Sequence, residues 1–314
     1  MASPLITRFA PSPTGAQHVG NARTYLITWL LARSAGGRIL LRIEDIDSPR
    51  VKAGAADEAL ADLRWLGLDG DGGPVVQTQR IALYEAALRR LQDQELVYPC
   101  TCTRSDIEQA ASAPHAEGQE LPYPGTCSGR SVADAQSLAG RPFAWRFRLT
   151  DVPGFTDSFR GTTDLSRDDI GGDFVVWKSQ GSPAYQLAVV VDDADQGVTV
   201  VVRGDDLVSS TPRQLLLYRA LGLTPPEFVH VPLVVGPDGR RLAKRHGDTR
   251  LRALRAAGVR PEQLVGLLAW SCGWLPDIQP IAAGELLPRF RLDAIPRGPF
   301  VLTAELLARI GYLA

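Results

Sequence analysis

The sequence predicts an α/β fold in which helices cover the faces of a parallel sheet. In the first hundred residues, short β-rich runs alternate with stretches in which apolar residues recur at helical spacing, and this order is typical of a parallel sheet. The run 38–43 (RILLRI) is short and apolar, as buried parallel strands are. After Tyr98 the alternation stops in a loop-rich segment that holds three cysteines, which predicts an insertion into the α/β domain.

The individual elements follow from spacing and from turn residues. A strand is predicted over 5–10, and a Pro/Gly loop over 11–15 ends it. Helices are predicted over 21–34, with Asn21 as N-cap, and over 55–66, 81–91 and 211–221. Further strands are predicted over 145–149, 174–177, 186–191, 198–203 and 230–235. From residue 250 onward the leucine spacing is mostly helical, which predicts a helical C-terminal part.

Length and composition exclude several classes of protein. The chain has 314 residues, of which 45% are hydrophobic and 22% charged, which is ordinary for a globular protein of about two domains. The formal net charge of −1 excludes a uniformly basic nucleic-acid coat, so a polyanion would need a local basic patch. No apolar run reaches the roughly 18–20 residues of a membrane span, and the N-terminus does not resemble a signal peptide. We therefore expect a cytoplasmic protein.

A nucleotide site is predicted where the first strand meets the first helix. Ligands of open α/β sheets bind beyond the carboxyl ends of the strands, and phosphates favour helix N-termini. His18 can donate a hydrogen bond to a phosphate oxygen, and Gly20 lets the backbone approach a nucleotide closely. The alternative is a plain strand-to-helix turn that carries a surface histidine.

A basic segment, residues 239–247, follows the strand predicted over 230–235. It contains Lys244, one of only three lysines in a chain with 31 arginines. Between 238 and 260 there are eight Arg or Lys residues against two Asp residues. Such a loop suits a pyrophosphate leaving group, whose developing charge needs cations, and it is also a candidate contact for tRNA phosphates. The alternative is a solvated basic face.

Three carboxylates, Glu44, Asp45 and Asp47, fall where the 38–43 strand should end. There they can hold the amino group of an amino acid or the ribose of a nucleotide. The alternative is that they cap the next helix.

The joint order of these motifs resembles the catalytic half of the class I glutamyl-tRNA synthetases. The segment 18–21 is similar to the HIGH signature and 241–245 to the KMSKS signature of that family. The other matching segments are 8–15, 42–47, 185–193 and 202–207. The resemblance implies a Rossmann-like catalytic domain (1–98 and 186–237), an inserted connective domain with a zinc subdomain (99–185), and a helical stem-contact-like domain with the KMSKS-like loop (238–314).

The resemblance also implies roles for single residues. The positions that match the L-glutamate site are Arg8, Ala10, Ser12, Glu44, Tyr185 and Arg203. Those that match the ATP site are His18, Gly20, Asn21, Arg241 and Lys244, and of these His18, Gly20 and Lys244 have catalytic counterparts. ATP is then a substrate, used with Mg²⁺. Asn21 replaces the second histidine of HIGH, and Ala243 replaces the serine of KMSKS.

The cysteines Cys100, Cys102 and Cys127 predict a structural zinc site, because three thiolates on a short turn suit tetrahedral zinc. By chemistry alone His115 is the default fourth ligand. The resemblance to a short paralogue of the synthetase family favours the oxygen of Tyr123 instead. Reduced thiols without a metal are the remaining alternative.

That short paralogue activates glutamate with ATP and attaches it to the queuosine base of tRNA(Asp). We expect the same reaction for this chain, which we also expect to be a monomer. We expect no anticodon-binding domain, because 314 residues leave no room for one. One alternative is a truncated glutamyl-tRNA synthetase that charges the tRNA 3′ end. Another is a non-catalytic, zinc-bearing tRNA-binding protein.

Overall fold

A computed structural model of the protein describes residues 4–46, 51–110, 122–242 and 248–313, and the side chains of all of these except 108–110. The predicted site residues Asp47, His115, Ala243 and Lys244 lie outside the described residues.

Parallel strands form the centre of the α/β part. Strand β1 (Ile6–Phe9) pairs in parallel with β2 (Arg38–Ile43), and β2 pairs in parallel with β3 (Val75–Val76). Strand β9 (Val200–Gly204) pairs in parallel with β10 (Glu227–Val231). The backbone N–H of Thr199 donates to the carbonyl of Ile6 at 2.8 Å, which places β9 beside β1. The carboxyl ends of β1, β2 and β9 therefore meet at one edge.

Helices pack on both sides of these strands, as the sequence predicts for an α/β fold. They are α1 (Val19–Ser34), α2 (Ala55–Trp65), α3 (Ile81–Asp93), α5 (Tyr185–Asp195) and α6 (Ser210–Ala220). The core divides into two large apolar clusters, one around α1 and the C-terminal helices and one around α3, α5 and α6. Both helices α1 and α5 bury most of their residues because each is enclosed on several sides.

The segment after β4 (Val97–Cys100) is antiparallel. Strand β5 (Ala144–Phe147) pairs with β4 on one side and with β8 (Phe174–Trp177) on the other. Strands β6 (Phe155–Asp157) and β7 (Gly161–Thr163) form a hairpin, and the short helix α4 spans Arg104–Ala110.

The C-terminal part contains α7 (Leu251–Ala256), α8 (Pro261–Ser271) and α9 (Ala304–Arg309). It also contributes a strand, β12 (Phe300–Val301), which pairs in parallel with β11 (Val234–Val235). The three-domain division of the chain stays a prediction. No helix in the described part of the chain has both the length and the apolar character that a membrane span requires.

Three predictions about elements are wrong. The predicted strand 186–191 is part of helix α5, because Leu187 and the valines after it are buried on nearly every side and such a run carries no helical stripe. Asn21 is not the N-cap of α1: His18 is, and the Asn21 side chain accepts a hydrogen bond from the backbone of His18. The strand 230–235 is two strands, separated at Pro232, which has no N–H to donate.

Candidate active site

A buried ionic cluster joins β1, β2 and α5 at the carboxyl edge of the parallel strands. Arg42 is fully buried, and its guanidinium lies 2.7 Å from a carboxylate oxygen of Asp193 and 3.2 Å from Oε1 of Glu44. Arg8 lies 3.2 Å from the same Asp193 oxygen. Arg42 is therefore an arginine whose charge is balanced by neighbouring carboxylates, and sequence reasoning gave it no role.

Glu44 lies where the sequence predicts, at the end of β2. Its backbone N–H donates to the carbonyl of Pro11 at 3.1 Å, which holds it beside the loop that carries Ala10 and Ser12. Burial raises the pKa of Glu44, while the positive charges of Arg42 and Arg8 oppose that shift.

Arg203, at the end of β9, is buried among neutral hydrogen-bond acceptors. Its guanidinium donates to Nε2 of His230 at 2.9 Å, to Oε1 of Gln214 at 2.8 Å and to Oγ1 of Thr211 at 2.8 Å. No carboxylate among the described residues lies within ion-pair distance of it. Burial lowers its pKa, and the charge of Arg8 acts in the same direction. An arginine stays protonated in proteins, so this buried charge would be relieved by an anionic ligand.

Tyr185 lies near both Arg8 and Arg203. It is the first residue of α5, and partial burial raises its pKa; the nearby charge of Glu44 also raises it, while Arg203 and Arg8 lower it. Four residues predicted for the glutamate site, Arg8, Glu44, Tyr185 and Arg203, thus lie close enough to influence one another's charge. Ala10 and Ser12 stand on the adjoining loop, and Ser12 is exposed.

His18 begins α1 with its ring in a defined protonation state. The backbone N–H of Gly20 donates to Nδ1 of His18 at 3.1 Å, so in the neutral ring the proton is on Nε2, from which it can be donated to a ligand. A Cβ at Gly20 would lie 2.9 Å from Cε1 of His18, so any larger residue at position 20 would require the ring to shift. Burial lowers the pKa of His18, and the charge of Arg241 lowers it further.

The two flanks of the predicted basic loop both reach this edge. After the loop, Val19 donates its N–H to the carbonyl of Thr249 at 3.0 Å and Leu251 donates to the carbonyl of Gln17 at 2.8 Å. Before the loop, Arg241 forms an ion pair with Asp206 at 2.6 Å, just beyond β9. The described residues on both sides of segment 243–247 therefore lie near His18.

The basic stretch that follows has less excess positive charge than the sequence alone indicates, because several of its arginines form ion pairs. Arg252 lies 3.6 Å from Glu58 and Arg255 lies 2.8 Å from Asp62, both on α2, and Arg250 pairs with Asp248. Glu58 and Asp62 come from a helix nearly 200 residues earlier, so counting charges along the segment overstates its positive potential.

Asp45 has a structural role. Its carboxylate accepts hydrogen bonds from the backbone N–H of Thr78 at 2.9 Å and from the Thr78 hydroxyl at 2.7 Å. Asp45 therefore fixes the turn before α3 and does not cap the next helix, α2, whose N-cap is Gly54.

The three clustered cysteines come together as the sequence predicts. Their sulfur atoms all lie within 4.8 Å of one another. The phenol oxygen of Tyr123 lies 3.4 Å from the sulfur of Cys100 and 3.8 Å from that of Cys102. The two distances from Tyr123, and the 3.6 Å between the sulfur atoms of Cys102 and Cys127, are close to the edges of a tetrahedral zinc site, which are about 3.5–3.8 Å for Zn–S bonds of about 2.3 Å and a Zn–O bond of about 2.0 Å. The cluster could therefore hold zinc.

The surroundings of the cluster act differently on its members: burial raises the pKa of Cys102 to about 11 and also raises that of Tyr123, whereas the pKa of Cys127 is lowered. Burial raises the pKa of the Cys127 thiol, but hydrogen bonds from the Thr101 backbone and from Tyr123 outweigh burial and hold it at about 7. Arg146 donates to the sulfur of Cys100 at 3.3 Å, and its guanidinium lies 3.9 Å from the centre of the Tyr123 ring. Sequence reasoning missed Arg146, since nothing local distinguishes it from the many other arginines.

Comparison with known proteins places this geometry in a family. Residues 4–282 match the family model of the class I tRNA synthetases for glutamate and glutamine, catalytic domain. The chain belongs to this family of class I tRNA synthetases. The predicted ligase class is thereby confirmed, as is the α/β fold of the catalytic domain, and the class uses ATP.

Individual relatives of this class I synthetase are similar over nearly its whole length. A glutamyl-Q tRNA(Asp) synthetase of Symbiobacterium thermophilum is 50% identical, with 98% of each chain covered. One of Rhodopirellula baltica is 51% identical over 96% of this chain and 95% of its own. The crystal structure of a glutamate-tRNA synthetase from Elizabethkingia anophelis superposes with a TM-score of 0.82 at 27% identity, covering 97% of this chain and 69% of that one. These relatives imply glutamate, ATP and tRNA as partners, whereas the roles of single residues stay predictions.

The protonation of His18 can be tested in the isolated synthetase. The histidine titrates with a pKa below 6.5, and Arg241→Ala raises that pKa because a neighbouring positive charge is removed. Nitrogen-15 NMR of the ring measures both the pKa and the Nε2–H tautomer. Arg240→Ala, one residue away, is the matched control and leaves the pKa unchanged. A rise of equal size in both variants would contradict the assignment.

Proposed function

We propose that the chain activates L-glutamate with ATP and transfers the glutamyl group to the queuosine base of tRNA(Asp). One observation carries the choice of amino acid: Arg203 is a buried guanidinium with only neutral partners among the described residues, and it lies beside a second buried arginine. A substrate with two carboxylates suits this pair, because a guanidinium fork matches a carboxylate in charge and shape.

The cluster also offers a partner for the substrate amine. Glu44 is buried, and Arg42 occupies its Oε1. An α-ammonium group next to Glu44 would add a compensating positive charge to this carboxylate, whose pKa burial raises. We assign Arg8 and Arg203 to the carboxylates, Glu44 to the ammonium, and Tyr185, Ala10 and Ser12 to the walls of the site.

In the first step a glutamate carboxylate oxygen attacks the α-phosphate of ATP, a new P–O bond forms, and pyrophosphate leaves. His18 donates through Nε2–H to a phosphate oxygen, and Gly20, Asn21, Arg241 and Lys244 complete the ATP site, with Mg²⁺ bound to the nucleotide. These groups position the reactants and stabilise developing charge, so no general base is required.

The acceptor is proposed from two relatives named glutamyl-Q tRNA(Asp) synthetase, at 50 and 51% identity. In the second step a hydroxyl of the queuosine base attacks the glutamyl-adenylate and AMP leaves. We propose a monomer with a Rossmann-like catalytic domain, a zinc-bearing insertion and a helical C-terminal part. The 240–260 stretch is the proposed contact to tRNA phosphates.

A second candidate is the transfer of glutamate to the 3′ end of a tRNA. The observation in its favour is the TM-score of 0.82 with a glutamate-tRNA synthetase. Both candidates share the activation step, and only the acceptor differs.

The activation step is tested by glutamate-dependent exchange of pyrophosphate into ATP. Arg203→Gln raises the KM for glutamate by roughly a hundredfold, because it removes a buried charge from a charged ligand, and leaves the KM for ATP nearly unchanged. Arg23→Gln is the matched control, since Arg23 is also a buried arginine whose partners are Ser271 and the carbonyl of Pro232. It lowers the melting temperature without a selective effect on glutamate. Equal effects of the two variants on glutamate would contradict the proposal.

The acceptor is tested by mapping the labelled nucleotide after incubation with radioactive glutamate, ATP and tRNA(Asp). Label appears on queuosine in tRNA that carries it and is absent from tRNA(Asp) that lacks it. Label on the terminal adenosine would instead support the second candidate.

We further propose that zinc is held by Cys100, Cys102, Cys127 and the Tyr123 oxygen in a structural role. The purified protein contains one zinc ion per chain, and Tyr123→Phe lowers zinc affinity by about tenfold or more, as measured by competition with a chromogenic chelator. Replacement of the alternative ligand, His115→Ala, is the control and leaves the affinity unchanged. The reverse pattern would assign the fourth position to His115.

A further inference from the structure

Arg203 is the first of three buried side chains that are joined by hydrogen bonds. The other two, His230 and Asp157, are not part of the site assigned above. Nδ1 of His230 lies 2.7 Å from Oδ2 of Asp157, and Nε2 of His230 accepts from Nε of Arg203 at 2.9 Å. Both His230 and Asp157 are almost completely buried, at 0% and 2% exposure. His230 is on β10 and Asp157 is on β6, so with Arg203 on β9 these hydrogen bonds join three strands.

The contacts of Asp157 fix its charge. Its carboxylate accepts from the backbone N–H groups of Phe159 at 2.9 Å, Arg160 at 2.7 Å and His230 at 3.0 Å, in addition to the imidazole. Burial raises the pKa of Asp157, but the hydrogen bonds from His230 and these backbone groups outweigh burial and lower it. Asp157 is therefore an ionised acceptor.

The charge of Asp157 fixes the tautomer of His230. A carboxylate that only accepts requires a proton on Nδ1, and a guanidinium that only donates requires a lone pair on Nε2. The imidazole is thus neutral: Nδ1 donates to Asp157, and Nε2 accepts from Arg203. Burial lowers the pKa of His230 and the charges of Arg203 and Arg160 lower it further, while the contact with Asp157 opposes them.

The same pattern holds for the other partners of Arg203. Gln214 accepts through its amide oxygen and is itself held by Gln186, whose carbonyl accepts from Nε2 of Gln214 at 3.0 Å. Thr211 accepts through its hydroxyl. Each acceptor orients the guanidinium, and none neutralises it, in contrast to the carboxylates that surround Arg42.

We infer that His230 is a positioning residue for substrate binding: held by Asp157, its neutral imidazole orients Arg203 while leaving the guanidinium charge available to a substrate carboxylate. The inference rests on the proposed function, because it assigns the carboxylate of glutamate to Arg203. A carboxylate in place of the imidazole would orient Arg203 equally well but would compete with the substrate for its charge.

Two substitutions test the orientation. His230→Leu removes the acceptor. Asp157→Asn keeps the shape of the side chain but places an N–H donor against Nδ1, which moves the imidazole proton to Nε2, where it faces Arg203. Each raises the KM for glutamate in pyrophosphate exchange by about tenfold or more, since a hydrogen bond to a charged group is lost, and each leaves the KM for ATP within about twofold.

Two further variants separate positioning from stability. His230→Gln keeps an acceptor near the Nε2 position and recovers most of the affinity for glutamate. Tyr98→Phe is the matched control, because it too removes a buried hydrogen bond to a carboxylate, that of Asp173 at 2.7 Å. It lowers the melting temperature without changing the KM for glutamate.

The pH dependence gives an independent readout. Protonation of His230 would place an N–H opposite the N–H of Arg203, so kcat/KM for glutamate falls on acidification with a component below pH 6.5. The groups that face the imidazole are Asp157, Arg203 and Arg160, with neutral Thr211 and Gln214 from α6. In His230→Gln this component is absent.

The outcomes distinguish the inference from the function on which it rests. Absence of glutamate-dependent exchange in the unmodified chain would overturn the proposed function and the inference together. Normal exchange with an unchanged KM for glutamate in both His230→Leu and Asp157→Asn would overturn the inference alone. Equal losses for glutamate and ATP, matched by Tyr98→Phe, would also overturn it, since they would reveal a purely structural role.

Discussion

The ion pairs of Arg42 determine how the candidate active site is built. A fully buried guanidinium is tolerated only where carboxylates and hydrogen bonds replace the water it has lost, and removal of one partner of such a cluster costs about 3–5 kcal/mol. Arg42 is on β2, its partner Asp193 is on α5, and Arg8 on β1 shares that carboxylate. These contacts hold the last turn of α5 against β1 and β2. Tyr185, the first residue of the same helix, lies near Glu44 and Arg203.

Arg42 and Arg203 show how the same side chain can serve two purposes in one site. Carboxylates within 2.7 and 3.2 Å balance the charge of Arg42, so it contributes structure. Arg203 is oriented by an imidazole, an amide and a hydroxyl, which leave its charge uncompensated. The cost of burying that charge is part of what a substrate carboxylate recovers on binding, and it favours anionic over neutral side chains. If Arg203 binds a carboxylate of the substrate as proposed, we expect a preference for glutamate over its amide.

Local sequence patterns predict the parallel strands, the first three helices and the cysteine cluster, because each depends on neighbours within a few residues. They also indicate Glu44, at the end of a strand, and His18, at the start of a helix, where an α/β sheet binds ligands, whereas Arg8 and Arg203 are assigned through the resemblance to the synthetase family. Helix α5 is missed because burial on nearly all sides removes its periodicity. The roles of Asp157 and His230 depend on a contact between residues 73 positions apart, and no local pattern signals it. Likewise, carboxylates on α2 form ion pairs with Arg252 and Arg255 and so reduce the excess positive charge of the basic stretch near 250.

The central claim is that Arg203 is a charged, pre-oriented receptor for a carboxylate of glutamate. A crystal structure of the protein with bound L-glutamate tests it most directly. We expect a carboxylate oxygen within hydrogen-bond distance of the Arg203 guanidinium, with the contacts between Arg203, His230 and Asp157 unchanged. A glutamate whose two carboxylates both lie away from Arg203, or an Arg203 that leaves His230 to reach the ligand, would contradict it.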